Sequence, residues 1–273
     1  MRVLCRVLRV TRSGFYAWAR RPPSRRALAD ARLLPQLRAL HVESRHTYGR
    51  RRLQRALRAQ GLRVGDQRVR RLMRVAQLVA RGRRRFRVTT DSAHAHPVMA
   101  NHLARRFHVR RLNQVWAADI TALPTTAGWC YLAVVLDLAS RRVVGWATAP
   151  TLETTLVLEA LRRAIATRPV RVGLLHHSDR GSQYASAAYQ RVLAAHGIRS
   201  SMSRVGDCWD NAPVESFFSG LKAEATPPEG WGSSDRATAT VAAHIDFYNR
   251  ARLHSAIGYR SPVDFEANRR VSL

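Results

Sequence analysis

Lysine is almost absent from this chain: Lys222 stands alone beside 46 arginines. Acid is scarce as well, 18 residues against 47 bases, which leaves a formal charge of +29 and a pI near 11.8. A preference for arginine over lysine follows from genome composition, but the excess of base over acid does not, and a protein this basic usually meets a polyanion. Cysteine is nearly missing too. Cys5, Cys130 and Cys208 are odd in number and form no CxxC pair, which argues against a disulfide framework and fits a reducing compartment. No apolar run approaches the roughly 20 residues of a membrane span. The opening MRVLCRVLRV alternates arginine with apolar residues and lacks the apolar core of a signal peptide. The sequence reads as that of a cytoplasmic protein without a membrane partner.

What is present is unevenly placed. Residues 1–111 hold 30 arginines against four acids, Asp30, Glu43, Asp66 and Asp91, while residues 112–273 hold 17 bases against 14 acids. A basic arm on a nearly neutral body predicts a polyanion-gripping module, residues 1–111, attached to a second domain, residues 112–273. Within the arm, residues 1–20 have a helix-turn-helix shape: Val3, Leu4, Val7 and Leu8 share one side of a first helix, and Ser13 can cap a second. Residues 21–24 form a linker. A helical block follows over 25–80. Its stripes are Leu28, Leu33, Leu34, Leu37 and Leu40; then Leu53, Ala56 and Leu57, ending at Gly61; then Val69, Leu72, Met73 and Val75 behind Asp66. Arg50, Arg51 and Arg52 on one helix, and Arg68, Arg70, Arg71 and Arg74 on the next, are candidates for phosphate or base contacts. Their alternative is a solvated charged face. Residues 81–111 read as a basic loop. The histidines there, His94, His96, His102 and His108, have no cysteine pair nearby to complete a zinc site, so no zinc is expected.

The second half changes character. NQVWAADITAL (113–123), GWCYLAVVLDLAS (128–140) and RRVVGWATA (141–149) read as three strands of an antiparallel meander. A helix over 152–168, a buried strand over 172–178, a helix over 183–196, a strand over 198–203 and a helix over 211–224 follow. That order is the order of an α/β ribonuclease-H-like core, a five-stranded mixed sheet with helices. A C-terminal helical extension begins near residue 226.

Acids stand where apolar residues belong. Asp119 interrupts an apolar first strand, where an isolated carboxylate is costly without a partner or a metal. Asp179 follows a buried strand, at the carboxyl end where open sheets place ligands. Glu215 lies in the first turns of the last core helix, behind Asp210 and Asn211, either of which can cap it. Three converging carboxylates suit a pair of Mg²⁺ ions about 4 Å apart, which together neutralise and activate a phosphodiester under attack. Each acid also has a dull reading: a strand-end polar residue, a helix cap, a surface acid. Rivals exist in Asp137, which can anchor the turn with Ser140 or Arg142, in Asp207 beside a glycine turn, and in Glu224 on another face of the Glu215 helix.

The motifs WAADIT (116–121), YLAVVLDLASRRVVGWA (131–147), HHSDRGSQY (176–184), DNAPVESFFSGLKAE (210–224) and FYNRARLHSAIGYRSPVDFE (247–266) closely resemble those of bacterial insertion-sequence transposases of the IS-three group. The helical blocks TYGRRRLQRALRAQG and DQRVRRLMR are similar to the region before that family's catalytic core. The family pattern is an Asp, a second Asp, and a Glu separated from it by 35 residues; Asp179 and Glu215 have that spacing here and Asp119 matches the first Asp. The resemblance therefore implies Asp119, Asp179 and Glu215 as the catalytic metal ligands, and a structural role for Asp137. It implies dependence on two Mg²⁺ ions, with Mn²⁺ as substitute, and strand cleavage and strand transfer on double-stranded DNA. The DNA would be the terminal inverted repeats of a mobile element and its target, with a homo-oligomer assembled on them. It also implies fusion by frameshifting to, or work beside, an upstream-frame DNA-binding protein. Lys222 lies seven residues after Glu215, two turns along the same helical face, where the family has a base facing substrate DNA. Two other readings stay open: a DNA-binding regulator without catalysis, and a nuclease of the same fold acting on RNA–DNA hybrids.

Overall fold

The computed structural model describes residues 1–81, 98–204 and 208–270. The chain divides into two compact units, Met1–Ala80 and Arg81–Leu273.

The first unit is all helical: α1 (Arg2–Val7), α2 (Arg12–Ala19), α3 (Arg25–Glu43), α4 (Arg50–Ala59) and α5 (Asp66–Val75). Thr11, not Ser13, caps α2; its backbone is extended and its Oγ1 accepts from Gly14 N–H at 3.1 Å, so the helix starts earlier than expected. Ser24 caps α3 in the same way, accepting from Ala27 N–H at 3.2 Å. Leu33, Leu37 and Leu40 of α3 are buried, as are Leu53 and Leu57 of α4 and Val69 and Leu72 of α5. Two predicted core residues at stripe ends, Leu28 and Val75, are exposed instead, and so are Val3, Leu4, Val7 and Leu8 of α1. A charged tie joins α3 to α5: buried Asp30 pairs with Arg68 at 2.7 Å and with Arg71.

The second unit is built on β1 (Val115–Thr125), β2 (Gly128–Asp137), β3 (Val143–Ala149), β4 (Leu175–Ser178) and β5 (Arg199–Met202), in the spatial order β3-β2-β1-β4-β5. β1, β2 and β3 are an antiparallel meander; β4 runs parallel to β1, and β5 parallel to β4. This mixed sheet with helices on both faces is the ribonuclease-H-like fold. Period-two alternation divides the strand residues between two cores. Ala117, Val134 and Leu136 face α9 (Ala212–Ala225) and α10 (Ser234–Arg250), through Phe217, Phe218, Leu221, Val241 and Ile245. Trp116, Ala118 and Val135 face α6 (Thr154–Thr167), α7 (Ser182–Ala185) and α8 (Ala187–Ala195), through Leu156, Leu161, Tyr184 and Tyr189. Gly145 lets α6 lie directly on β3, since a Cβ there would come within 2.2 Å of the Ala160 carbonyl oxygen.

The helix expected over 183–196 is broken at Ser186, whose backbone is extended and whose hydroxyl caps α8 by accepting from Tyr189 N–H. α11 (Pro262–Arg270) completes the unit, with buried Glu266 paired to Arg142 at 2.7 Å and to Arg168 at 2.6 Å. Residues 98–111, grouped by charge with the N-terminal arm, lie on this second unit. Leu103 is in its core, Phe107 and Val109 pack against that core, and Ser201 Oγ of β5 accepts from His102 and Leu103 N–H. His94 and His96, with the rest of 82–97, and Asp207 fall outside the described residues.

Candidate active site

The parallel pairing of β1 with β4 ends at Ala117 and His177, and both chains run on two residues, to Asp119 and Asp179. Shared direction thus delivers two carboxylates to the same edge of the sheet. Asp119 Oδ1 accepts from Ile120 N–H at 2.8 Å, and Asp179 Oδ1 accepts from Gly181 N–H at 2.9 Å. The turn after Asp179 is tight enough that a Cβ on Gly181 would sit 3.1 Å from that same Oδ1.

Glu215 comes from the other side, on the first turn of α9. The start of that helix is tied to β1: Asn211 Nδ2 donates to the Ala118 carbonyl at 3.0 Å, one residue before Asp119. Asn211, one of the two expected caps, stands at the N-cap of α9 but makes no side-chain cap hydrogen bond. Buried Asp210, the other, accepts from Arg105 Nε at 2.9 Å, from Asn101 Nδ2 at 2.8 Å and from Arg204.

Asp119, Asp179 and Glu215 are each half-buried, and their charges interact. Burial, then the Asp179 charge, push the Asp119 carboxyl well above the usual carboxylate range; Glu215 adds to the rise, while Ile120 N–H and Lys222 oppose it. Burial also raises Glu215. Burial lowers Lys222, and the Asp119 charge pulls it back up. Lys222 therefore shares the neighbourhood of the acids. Such a cluster of like charges is unstable by itself and fits a hard cation with oxygen ligands. Among the described residues no three His, Cys, Asp or Glu side chains are close enough as they stand to hold a metal ion.

The two rival acids among the described residues, Asp137 and Glu224, are occupied elsewhere. Asp137 is wholly buried; its Oδ1 accepts from Ser140 N–H and Oγ, and its Oδ2 from Asn113 N–H at 2.7 Å. Glu224 forms a buried two-point pair with Arg252, at 2.7 and 2.5 Å.

The region around these acids matches known families. Residues 109–208 and 196–262 each match a family described as "Integrase core domain", and residues 28–86 match an "HTH-like domain". The chain is 42% identical over 272 residues to the transposase InsF for insertion sequence IS3A of Escherichia coli (strain K12), covering 97% of this chain and 93% of that one. It belongs to the IS-three family of insertion-sequence transposases. A second relative, the uncharacterized 31 kDa protein of insertion element IS600 from Shigella sonnei, is 40% identical over 263 residues, covering 96% of this chain and 97% of its own. Among solved structures, the catalytic core domain of BIV integrase aligns with a TM-score of 0.43 at 15% identity, over 59% of this chain and 97% of that one. The transposase family and its integrase core make this chain a polynucleotidyl transferase acting on DNA. The HTH-like match covers α3, α4 and α5 rather than the short pair α1 and α2, whose sequence pattern suggests a helix-turn-helix.

The structure splits the arginines of that region into two kinds. Arg68 and Arg71 hold Asp30, Arg50 pairs with Asp66 at 2.5 Å, and Arg52 lies over the Tyr48 ring at 5.7 Å. Arg51, Arg70 and Arg74 are exposed to solvent. Sequence reasoning missed the bracing role of Asn211 and the buried network behind Asp179. There His176 Nε2 meets Tyr189 Oη at 3.0 Å and His177 Nδ1 meets Ser201 Oγ at 2.9 Å. Burial holds both rings neutral, lowering His176 to about 3 and His177 to about 4. Two adjacent histidines inside an otherwise apolar strand were the available signal.

Proposed function

We propose that Asp119, Asp179 and Glu215 hold two divalent cations, Mg²⁺ with Mn²⁺ as substitute, and that this site cleaves DNA at the ends of a mobile element and joins the freed ends to a target. The observation that carries this reading is the placement of Asp119 and Asp179 two residues past the last paired residues of β1 and β4 in an integrase-core sheet, with the Asp119 carboxyl raised by burial and then by the Asp179 and Glu215 charges. The charges of both other acids act on Asp119, and the three together would hold the ions. Bound there, the ions supply charge neutralisation at phosphorus and activation of the attacking oxygen. The chain does the rest. Gly181 N–H and Ile120 N–H orient the two aspartates, and Asn211 sets α9, and so Glu215, against β1. Lys222, near Asp119 on α9, takes a phosphate close to the scissile bond as a point charge. Water would attack the phosphodiester at the element's end, breaking its P–O3′ bond and leaving a 5′-phosphate on the flanking strand; the freed 3′-hydroxyl would then attack a target phosphodiester and displace that strand's 3′-oxygen as a hydroxyl.

Duplex DNA is the partner, as terminal inverted repeats and as target. Exposed arginines of the HTH-like unit, Arg51, Arg70 and Arg74, contact its phosphates, so affinity falls steeply with salt. A homo-oligomer on DNA and an upstream-frame DNA-binding protein, fused or separate, complete the assembly. Among the described residues no helix is long and apolar enough to cross a membrane. The test is the purified chain with labelled element ends and Mg²⁺ or Mn²⁺, read on a gel for 3′-end cleavage and joining. Metal-dependent products support the reading. DNA binding without products favours a non-catalytic regulator.

A further inference from the structure

Tyr184 lies five residues after Asp179 and has a side chain whose chemistry is left over. Its residue is 1% exposed, packed in the core beneath the sheet. Its backbone is held on both sides: Tyr184 N–H donates to the Gly181 carbonyl at 3.0 Å, and its own carbonyl accepts from Gln190 Nε2 at 2.8 Å. Gly181 is the residue whose N–H orients Asp179, so Tyr184 and Asp179 share one tight turn. The ring stands edge-on to Tyr189, with centroids 5.3 Å apart, and lies 6.5 Å from His176. The Tyr189 hydroxyl is hydrogen-bonded with His176 Nε2 at 3.0 Å. The Tyr184 hydroxyl, equally enclosed, has no hydrogen-bond partner among the described residues.

A buried phenol without a partner is a cost that phenylalanine would avoid, so the hydroxyl calls for a role. Its surroundings name one. Burial and Tyr189, then the charges of Asp119 and Asp179, all act to keep the phenol protonated, which makes it a donor in the field of two acceptors. Carboxylates that ligate a metal depend on partners behind them for orientation. Main-chain N–H groups already address one oxygen of each aspartate, and a phenol adds a side-chain contact that can adjust when the cation arrives.

We propose that Tyr184 is a positioning residue of the carboxylate site, its hydroxyl donating to the Asp119–Asp179 pair, directly or through one water, when the pair is fully charged around a divalent cation. The inference rests on the reading of these two aspartates as cation ligands. It predicts an unusual pair of effects: the hydroxyl is idle or costly in the metal-free protein and engaged in the loaded one.

The experiment titrates Mn²⁺ into the full chain, followed by electron paramagnetic resonance, for the wild type, Tyr184→Phe and Asp179→Asn. Thermal midpoints are taken without metal alongside. Expected are loss of Mn²⁺ binding in Asp179→Asn, Mn²⁺ affinity weakened about tenfold in Tyr184→Phe, and a metal-free midpoint in Tyr184→Phe equal to or above that of the wild type. Wild-type affinity in Tyr184→Phe, with binding lost in Asp179→Asn, overturns the role of Tyr184 alone. A lowered metal-free midpoint in Tyr184→Phe overturns it too, by making the hydroxyl a structural contact. Equal Mn²⁺ binding in the wild type and Asp179→Asn overturns the cation site itself and the inference with it.

Discussion

Asn211 Nδ2 donates to the carbonyl of Ala118 at 3.0 Å, fastening the start of the Glu215 helix to the strand that carries Asp119. Both residues are buried. Asn211→Ala removes a buried hydrogen bond between α9 and β1, a cost of about 0.5–1.5 kcal/mol. Urea unfolding should show that loss. Because Glu215 then loses its register against Asp119, cleavage should fall further than stability alone accounts for, even where the protein remains fully folded.

Asp210 supplies a pH dependence with a definite sign. Hydrogen bonds from Arg204, with others from Arg105, hold its carboxyl well below the usual range against the opposing effect of burial. The unfolded state therefore takes up the proton first. Stability from Asp210 is complete above the unfolded value of about 4 and is lost as pH falls through the folded one. Thermal midpoints measured from pH 6 down to pH 3 should drop at the acid end, and Asp210→Asn should flatten that drop while lowering the midpoint near neutrality.

The arginines of the first unit should separate by experiment as they separate in the structure. Replacing Arg51, Arg70 and Arg74 with alanine should weaken duplex DNA binding across sequences and flatten its salt dependence, by about 0.9 in the log–log slope for each phosphate that is no longer neutralised. The fold should be little affected. Arg68→Ala or Arg71→Ala should instead lower the melting point, because each leaves buried Asp30 short of a partner.

Lys222 is partly buried on the Glu215 helix; burial lowers its pKa, and the Asp119 charge acts in the opposite direction. Lys222→Ala should reduce joining of element ends with little change in folding. Lys222→Arg should recover only part of the activity, since a planar fork does not replace a compact point charge. A wild-type joining rate in Lys222→Ala would exclude this residue from the reaction.

Strong, long-range signals were legible in the sequence. Asp119 in an apolar strand and Asp179 at the end of another stand where those patterns placed them, because a continuous apolar run buried on both faces marks a central strand. The antiparallel meander was legible for the same reason. Cooperative and local choices were not. Thr11 and Ser13 are both able caps, and only the backbone decides that Thr11 is used. Ser186 breaks a helical pattern that periodicity alone carries through. Residues 98–111 look basic, but Leu103, Phe107 and Val109, spaced among arginines, find the core of the second unit. Asp210 looks like a cap because it precedes a helix, yet three partners, distant in sequence or on the preceding loop, outcompete that use.

The central claim is that Asp119, Asp179 and Glu215 work as one cation-holding unit. Asp119→Asn, Asp179→Asn and Glu215→Gln each keep shape and remove a ligand charge. Asp137→Asn is the matched control, since Asp137 anchors the β2–β3 turn through Ser140 and Asn113. The measurement is 3′-end cleavage and joining of labelled element ends in Mg²⁺, with DNA binding followed in parallel. Each of the first three variants should lose cleavage and joining while binding DNA as the wild type does, and Asp137→Asn should lose stability but keep most of its activity. A cleaving Asp119→Asn beside an inactive, folded Asp137→Asn would contradict the assignment.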